Sequence, residues 1–273
     1  MSYDFMALVA LCFAPLGYVG ASLSTALGVG SSVLFVPLLL WLLPYLGVDG
    51  SPLAVTAIGT SLSASWVVML VGSMAHWRAG NLDPASREAR GLAIAAGCGG
   101  ILGGTIIAST AGPDLLALVA GGQALVAAAL ALRVFGIGKG HTHEPAPCVP
   151  LQDGVSRAYM LLVGLLTTVG AGGVFLVPYF LYRGRSRSQA AALACFVGVA
   201  ISTAASILFI GTKALAVGGA SVVVVPIGAA LALGAFFGGR QGVKLASSIH
   251  PAAWTSLLIL ALAASACRSI SLA

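Results

Sequence analysis

Two stretches of this chain hold residues whose types and spacing could do chemistry: Gly28-Val29-Gly30-Ser31-Ser32 and Gly170-Ala171-Gly172-Gly173. Each interrupts an apolar run, and each is followed by a short apolar segment that reaches a proline, Pro37 in one and Pro178 in the other. Glycine accepts positive φ, so the chain can turn there inside apolar surroundings. A helix that resumes after such a turn has first N–H groups without helical acceptors. Its start also carries about half a positive charge. Two such ends meeting from opposite sides form an anion site without a fixed cation. The candidate ligands are Gly28, Gly30, Ser31, Ser32, Gly170, Gly172 and Gly173, with Ser31 and Ser32 adding hydroxyl donors.

Further hydroxyls fall in the apolar runs: Thr56, Thr60, Ser61, Ser63 and Ser65, then Thr167, Thr168, Ser202, Thr203 and Ser206. Of these, Thr60, Ser61, Thr167, Thr168 and Ser202 join the binding candidates. Each also suits plain helix packing, as Ser and Thr often do in membranes. Gln123 reads as an interhelical hydrogen bond. Pro37 and Pro178 leave the carbonyls of Val33 and Val174 without a helical donor, which assigns them to gating. His76 and Arg78 stand at a mouth, where Arg78 also reads as a topology anchor.

All seven acidic residues (Asp4, Asp49, Asp83, Glu88, Asp114, Glu144 and Asp153) sit in loops or termini. A cation pathway or proton relay would normally bury a carboxylate. His141-Thr142-His143-Glu144 supplies too few ligands, on too loose a linker, for a metal. Cys12, Cys98, Cys148, Cys195 and Cys267 form no CxxC pair and read as apolar packing residues. No cofactor and no metal are expected.

The elements that must hold these residues are set by composition. The chain has 273 residues, 59% hydrophobic and 7% charged, with 36 glycines and a net charge of +6; its mean hydropathy is +1.05. Soluble domains carry about 25% charged residues, so the solvent here is a bilayer. The basic residues lie in short loops, as cytoplasmic loops do; no basic run with interleaved aromatics points to nucleic acid. Membrane lipid is the expected surround, and a homo-oligomer is compatible with the sequence. The start, Met1-Ser2-Tyr3-Asp4, has no basic region, so Phe5 onward is expected to be kept as membrane structure.

Several runs approach the roughly 20 residues that cross hydrocarbon. Others are short, notably Val33 to Leu46, Tyr159 to Val169 and Val174 to Tyr182; the last two read as half-helices that turn at mid-depth. Spans are expected at Leu53 to Trp77, Gly91 to Ala111, Leu115 to Phe135, Ala190 to Gly211, Leu215 to Gly238 and Pro251 to Ala266. The two halves match at a steady offset of about 140 residues, the mark of a duplicated unit. Ser51 pairs with Ser188, and Ala108 to Pro113 pairs with Ala246 to Pro251. Gly99/Gly103, Gly100/Gly104 and Gly234/Gly238 are GxxxG pairs for close helix packing.

The expected organisation is a first repeat at 1–136, a cytoplasmic linker at 137–154 and a second repeat at 155–273. Lys/Arg placement puts the loops at Arg78–Arg90, Arg183–Arg187 and Arg240–Lys244 inside. Both termini then fall outside, with Lys213 and Arg268 as exceptions. Each repeat is a broken hairpin followed by three crossings, and the two are inverted relative to each other, as in secondary transporters. The fold class is all-α polytopic membrane protein.

The run Gly-x-Gly-Ser-x-x-x-x-x-Pro from Gly28, then Ala54-Val55-Thr56, then Gly72-Ser73-x-x-His76-x-Arg78-x-Gly80-Asn81-Leu82-Asp83, resembles the TauE/SafE sulfite exporter family. The resemblance covers nearly the whole chain. It implies a multi-pass protein of the bacterial inner membrane that transports sulfite, sulfoacetate or a related organosulfonate, with export as the expected direction. Two departures stand out: Ser32 where the family often has glycine, and Ala190-Ala191-Ala192 where the second copy would repeat Ala-Val-Thr. The expected function is a secondary transporter of a small sulfur-containing anion by alternating access. A passive anion channel is the alternative. A membrane enzyme of sulfur metabolism fits less well, since no paired base, nucleophile or metal cluster lies in the interior.

Overall fold

The structure is a computed structural model that describes residues 3–48, 52–110, 112–134, 153–168, 170, 172–216 and 224–245, with scattered helical residues between 256 and 270. Its elements are α1 (Tyr3–Leu27), α2 (Ser32–Leu42) continued by a 3-10 turn Leu43–Leu46, α3 (Pro52–Arg78), α4 (Arg87–Ser109) and α5 (Gly112–Val134), then α6 (Asp153–Thr168), a 3-10 turn Gly172–Phe175 leading into α7 (Leu176–Tyr182), α8 (Arg187–Ala216) and α9 (Val225–Leu245). No strand occurs among the described residues. The apolar stretches Val9–Leu27, Leu53–Arg78, Arg87–Ser109 and Arg187–Leu208 are long enough to cross a membrane. Shorter apolar helices accompany them at Ser32–Leu46, Asp114–Ala128, Gly154–Thr168 and Gly172–Tyr182. The chain is an all-α polytopic membrane protein.

Large apolar side chains such as Leu11, Ile94, Leu125, Ile207 and Phe237 are exposed. In a chain this poor in charge they suit lipid rather than water.

Helix–helix packing fixes direction. Gly234, Gly238 and Gly242 of α9 lie against the carbonyls of Ala14, Tyr18 and Ser22 of α1; a Cβ on these glycines would stand 1.9, 2.2 and 2.4 Å from those oxygens. The contact register rises together on both helices, so α1 and α9 run parallel. In the same way Gly99 and Gly103 of α4 meet Leu161 and Leu165 of α6, and Gly100 and Gly104 meet Ile201 and Ala205 of α8. Thus α4, α6 and α8 run parallel. Between α3 and α8 the register falls: Gly72 meets Cys195, Met69 meets Gly198, and Trp66 Nε1 donates to Thr203 Oγ1 at 2.9 Å. These two helices are antiparallel. With no hydrophobic drive between helices in lipid, such backbone contact at small residues is what holds them together.

The elements differ from the sequence expectation in three places. First, α1 has 25 residues, about 37 Å at 1.5 Å per residue, more than the roughly 30 Å of hydrocarbon. The first break therefore follows a full-length helix, and only its return arm α2 is short. Second, α8 runs through Lys213 to Ala216, and α9 runs through Arg240 and Lys244. A lone Lys or Arg is a good helix former and does not end a helix. Third, Pro178 falls in the first turn of α7, where its missing N–H costs little; Pro37 lies inside α2. The expected linker, most of the expected last crossing and the His141–Glu144 segment lie outside the described residues.

Candidate functional site

The two glycine breaks meet. Gly28 closes α1 at φ +63°, and Gly170 follows α6 at φ +79°, conformations that glycine takes without steric penalty. Val29 N–H bonds back to Ser24 O at 3.1 Å and Gly170 N–H to Thr167 O at 3.0 Å, so each helix end is closed by its own turn. The Ser24 hydroxyl donates to Val29 O. Beyond these turns the backbones touch: a Cβ on Gly173 would stand 2.4 Å from Gly30 N and 2.6 Å from Gly30 Cα.

Each tip also reaches past the other. Gly28 abuts Val177 of α7 and Ala191 of α8, while Gly170 faces Ser32 O and Val36 of α2. Gly172 packs on Val163 O and Thr167 of its own hairpin. The apolar back of this crossing is a cluster of Val33, Val126, Ala127, Leu130, Val174 and Leu262.

A small cavity opens where Gly30 and Gly173 meet. It is lined by Gly30, Ser31 and Ser32 of the first break, Thr167, Gly173 and Leu176 of the second hairpin, Leu62, Ser65 and Met69 of α3, and Ala194, Gly198, Ile201 and Ser202 of α8. It offers about 20 Å³ to the centres of water-sized molecules, a little above the roughly 10–15 Å³ that one water needs. An anion of several heavy atoms needs the two hairpins to part.

The lining hydroxyls fall into two kinds. Ser31 stands at the N-cap of α2 with φ −64° and ψ −21°, yet its side chain makes no capping bond. Ser at this position ordinarily accepts from the first helical turn. Here Val33 and Leu34 N–H close back on Gly30 O and Ser31 O at 3.1 and 3.0 Å, and the Ser31 hydroxyl makes no hydrogen bond. Ser65 Oγ likewise has no protein partner. By contrast, Thr167 Oγ1 donates to Val163 O at 2.7 Å and Ser202 Oγ to Gly198 O at 2.8 Å. A buried polar group without a partner costs about 1–3 kcal/mol, so Ser31 and Ser65 are the groups most open to a ligand. Among the described residues, no charged side chain lines the cavity.

Of the sequence candidates, Gly30, Ser31, Ser32, Thr167, Gly173 and Ser202 are thus brought together at the cavity. The others lie around it. Gly28, Gly170 and Gly172 shape the turns. Thr60 Oγ1 accepts from Val224 N–H at 3.1 Å, and Thr168 Oγ1 donates to Leu165 O at 2.6 Å. Ser61 is fully buried without a partner, one turn from Ser65. Gln123 is also fully buried with neither amide atom bonded, unlike the interhelical bond expected for it. Pro37 is buried within α2, and Pro178 is half-buried. His76 is fully buried at the end of α3, whereas Arg78 is exposed. The apolar lining residues Leu62, Met69, Leu176, Ala194 and Ile201 carry no chemical mark in sequence. Only helical spacing from Ser65 and Ser202 would have indicated the α3 and α8 members.

Two basic loops share one face of the molecule. Glu88, in the first turn of α4, pairs with Arg183 at 3.3 Å and with Arg185, both in the loop between α7 and α8. Arg183 also donates to Ser156 Oγ at 3.4 Å, tying that loop to the base of α6.

Among known proteins, a family model described as "Sulfite exporter TauE/SafE" matches residues 13–269. No curated protein and no solved structure matches the chain significantly.

Proposed function

Because the chain belongs to the sulfite exporter TauE/SafE family and is therefore a membrane transporter of sulfur anions such as sulfite, we propose that the cavity between the two breaks is where it binds that anion. The observation that carries this reading is the pair of unpartnered hydroxyls, Ser31 and Ser65, facing a cavity beside the Gly30–Gly173 contact whose described lining carries no charge. Hydroxyl and backbone N–H donors can replace the hydration of an oxyanion without holding it as tightly as a fixed cation would. The binding set at the cavity is Gly30, Ser31, Ser32, Ser65, Thr167, Gly173 and Ser202, held in place by the turns at Gly28, Gly170 and Gly172 and by Thr60, Ser61 and Thr168 around it. Sulfite, sulfoacetate and other small organosulfonates are the substrate class, and export is the direction.

Two inverted repeats, at 1–136 and 155–273, account for the architecture. Pair α1 with α6, α2 with α7, α3 with α8 and α4 with α9. The packing of α9 on α1 and α3 then becomes that of α4 on α6 and α8, and the α3–α8 contact maps onto itself. The opposite running directions of these two sets support the inversion. Ser65 and Ser202 stand at the same offset as Ser51 and Ser188, and both line the cavity. Such pairs rock against each other in alternating access, with Pro37 inside α2 as a point of give.

The Glu88–Arg183 and Glu88–Arg185 pairs support one cytoplasmic face for the Arg78–Arg90 and Arg183–Arg187 loops. The bacterial inner membrane, with both termini outside, completes the topology. Flux of sulfite in proteoliposomes tests the mechanism. A carrier gives saturable uptake that is accelerated by sulfite on the opposite side. Flux that does not saturate and shows no such acceleration means a passive channel instead.

A further inference from the structure

His76 is the only side chain among the buried described residues that gains charge near neutral pH. It is fully buried, and neither ring nitrogen completes a hydrogen bond. A buried ionisable group inside a membrane protein, left unpaired, is a functional signal rather than a stabilising one.

Its position gives that signal a meaning. On α3, Ser65 and Met69 line the cavity; Gly72 and His76 continue the same helical face toward the cytoplasmic end. The ring faces the backbone of Thr25, in the last turn of α1 before the break, too loosely to complete a hydrogen bond. Thr25 is itself fully buried, with an unpartnered hydroxyl. A Cβ on Gly72 would stand 3.0 Å from Thr25 Oγ1 and 3.2 Å from Cys195 Sγ; one on Gly242 of α9 would stand 2.8 Å from Thr25 Cβ. So α1, α3, α8 and α9 close tightly between His76 and the cavity.

Among the described residues that close this seam, none carries a negative charge. From α1 comes Thr25. From α9 comes Gly242, with Arg240 placed over the Phe236 ring at 4.6 Å and Lys244 exposed. From α8 comes Cys195, and on α3 itself Arg78 is exposed. A protonated imidazole in this closed seam would have neither water nor an anion beside it. An open seam would supply water. A proton therefore binds more tightly to the open state and shifts the population toward it.

We propose that His76 is a proton-operated lock on the first hairpin: its protonation parts α1 from α3 at Thr25 and Gly72 and opens the cavity toward the cytoplasm. The lock rests on the cavity being the transport site, but its test needs no substrate. Cys195, fully buried at the same seam, is a native reporter. Its alkylation by a polar maleimide is followed by mass spectrometry at pH 6 and pH 8, each rate divided by that of the SDS-unfolded protein at the same pH. A proton that binds the open state as it binds an ordinary imidazole favours that state about fourfold more at pH 6 than at pH 8, so the normalised Cys195 rate should rise by about fourfold. In His76→Gln and His76→Asn the ratio should stay near 1. A wild-type rate indifferent to pH overturns the lock even if neither variant folds, and so does an equal acid response in a folded variant. Sulfite binding that fails while the Cys195 response holds would count against the cavity alone.

Discussion

Gly30 and Gly173 approach so closely that a Cβ on Gly173 would stand 2.4 Å from Gly30 N, whereas one on Gly30 would stand 3.3 Å from Gly173 Cα. The contact is therefore unequal. Gly173→Ala must push two backbones apart and should cost about 1–3 kcal/mol, as overpacking does. Gly30→Ala needs a shift of only a few tenths of an ångström. Thermal melting in detergent should show a clearly lower Tm for Gly173→Ala than for Gly30→Ala. Equal Tm values would mean the breaks do not pack this way.

The hydroxyls of the cavity should divide by partner. Ser65 makes no hydrogen bond, while Ser202 already donates to Gly198 O. Ser65→Ala should weaken sulfite binding by about tenfold, in line with roughly 1.4 kcal/mol for one hydrogen bond to a charged group. Ser202→Ala should change it by less than about twofold. Titration of the two purified variants side by side checks the difference.

Glycines that touch nothing should behave in the opposite way from those in helix contacts. Gly238 would place a Cβ 2.2 Å from Tyr18 O, while Gly121 has nothing within 4 Å. Gly238→Ala should lower Tm. Gly121→Ala should leave it unchanged or raise it, since alanine is favoured over glycine in a helix by up to about 1 kcal/mol. A drop for Gly121→Ala in thermal melts would contradict the packing.

The Glu88 pairs with Arg183 and Arg185 are partly exposed, with side-chain exposures of 38%, 18% and 40%. Such pairs contribute at most about 1 kcal/mol. Glu88→Gln should therefore cost little stability, and the loss should shrink in high salt. A double-mutant cycle with Arg185→Gln measures the coupling.

Much of this was legible in sequence because lipid imposes strict rules. Glycine pairs at a spacing of four marked the contacts of α4 and α9, and the two breaks announced themselves by interrupting apolar runs. Other features were not legible. Nothing in sequence says how deep a break lies. Thr60 and Thr168 looked like Ser65, yet only the fold shows that Thr60 receives Val224 N–H and Thr168 turns to Leu165 O. Met69 packs directly on Gly198, where a Cβ would stand 2.7 Å from its Sδ, which sequence cannot express. Pro178 looked equivalent to Pro37, but the 3-10 turn Gly172–Phe175 shifts it to a harmless position.

The central claim is that the Ser31 hydroxyl at the meeting of the two breaks holds the transported anion. Equilibrium titration of purified protein with sulfite, sulfoacetate and sulfate tests it most directly, comparing wild type with Ser31→Ala at equal thermal stability. Wild type should bind sulfite or sulfoacetate, and Ser31→Ala should bind the same anion at least about tenfold more weakly, the effect of one lost charge-assisted hydrogen bond. Unchanged affinity in Ser31→Ala would contradict the site.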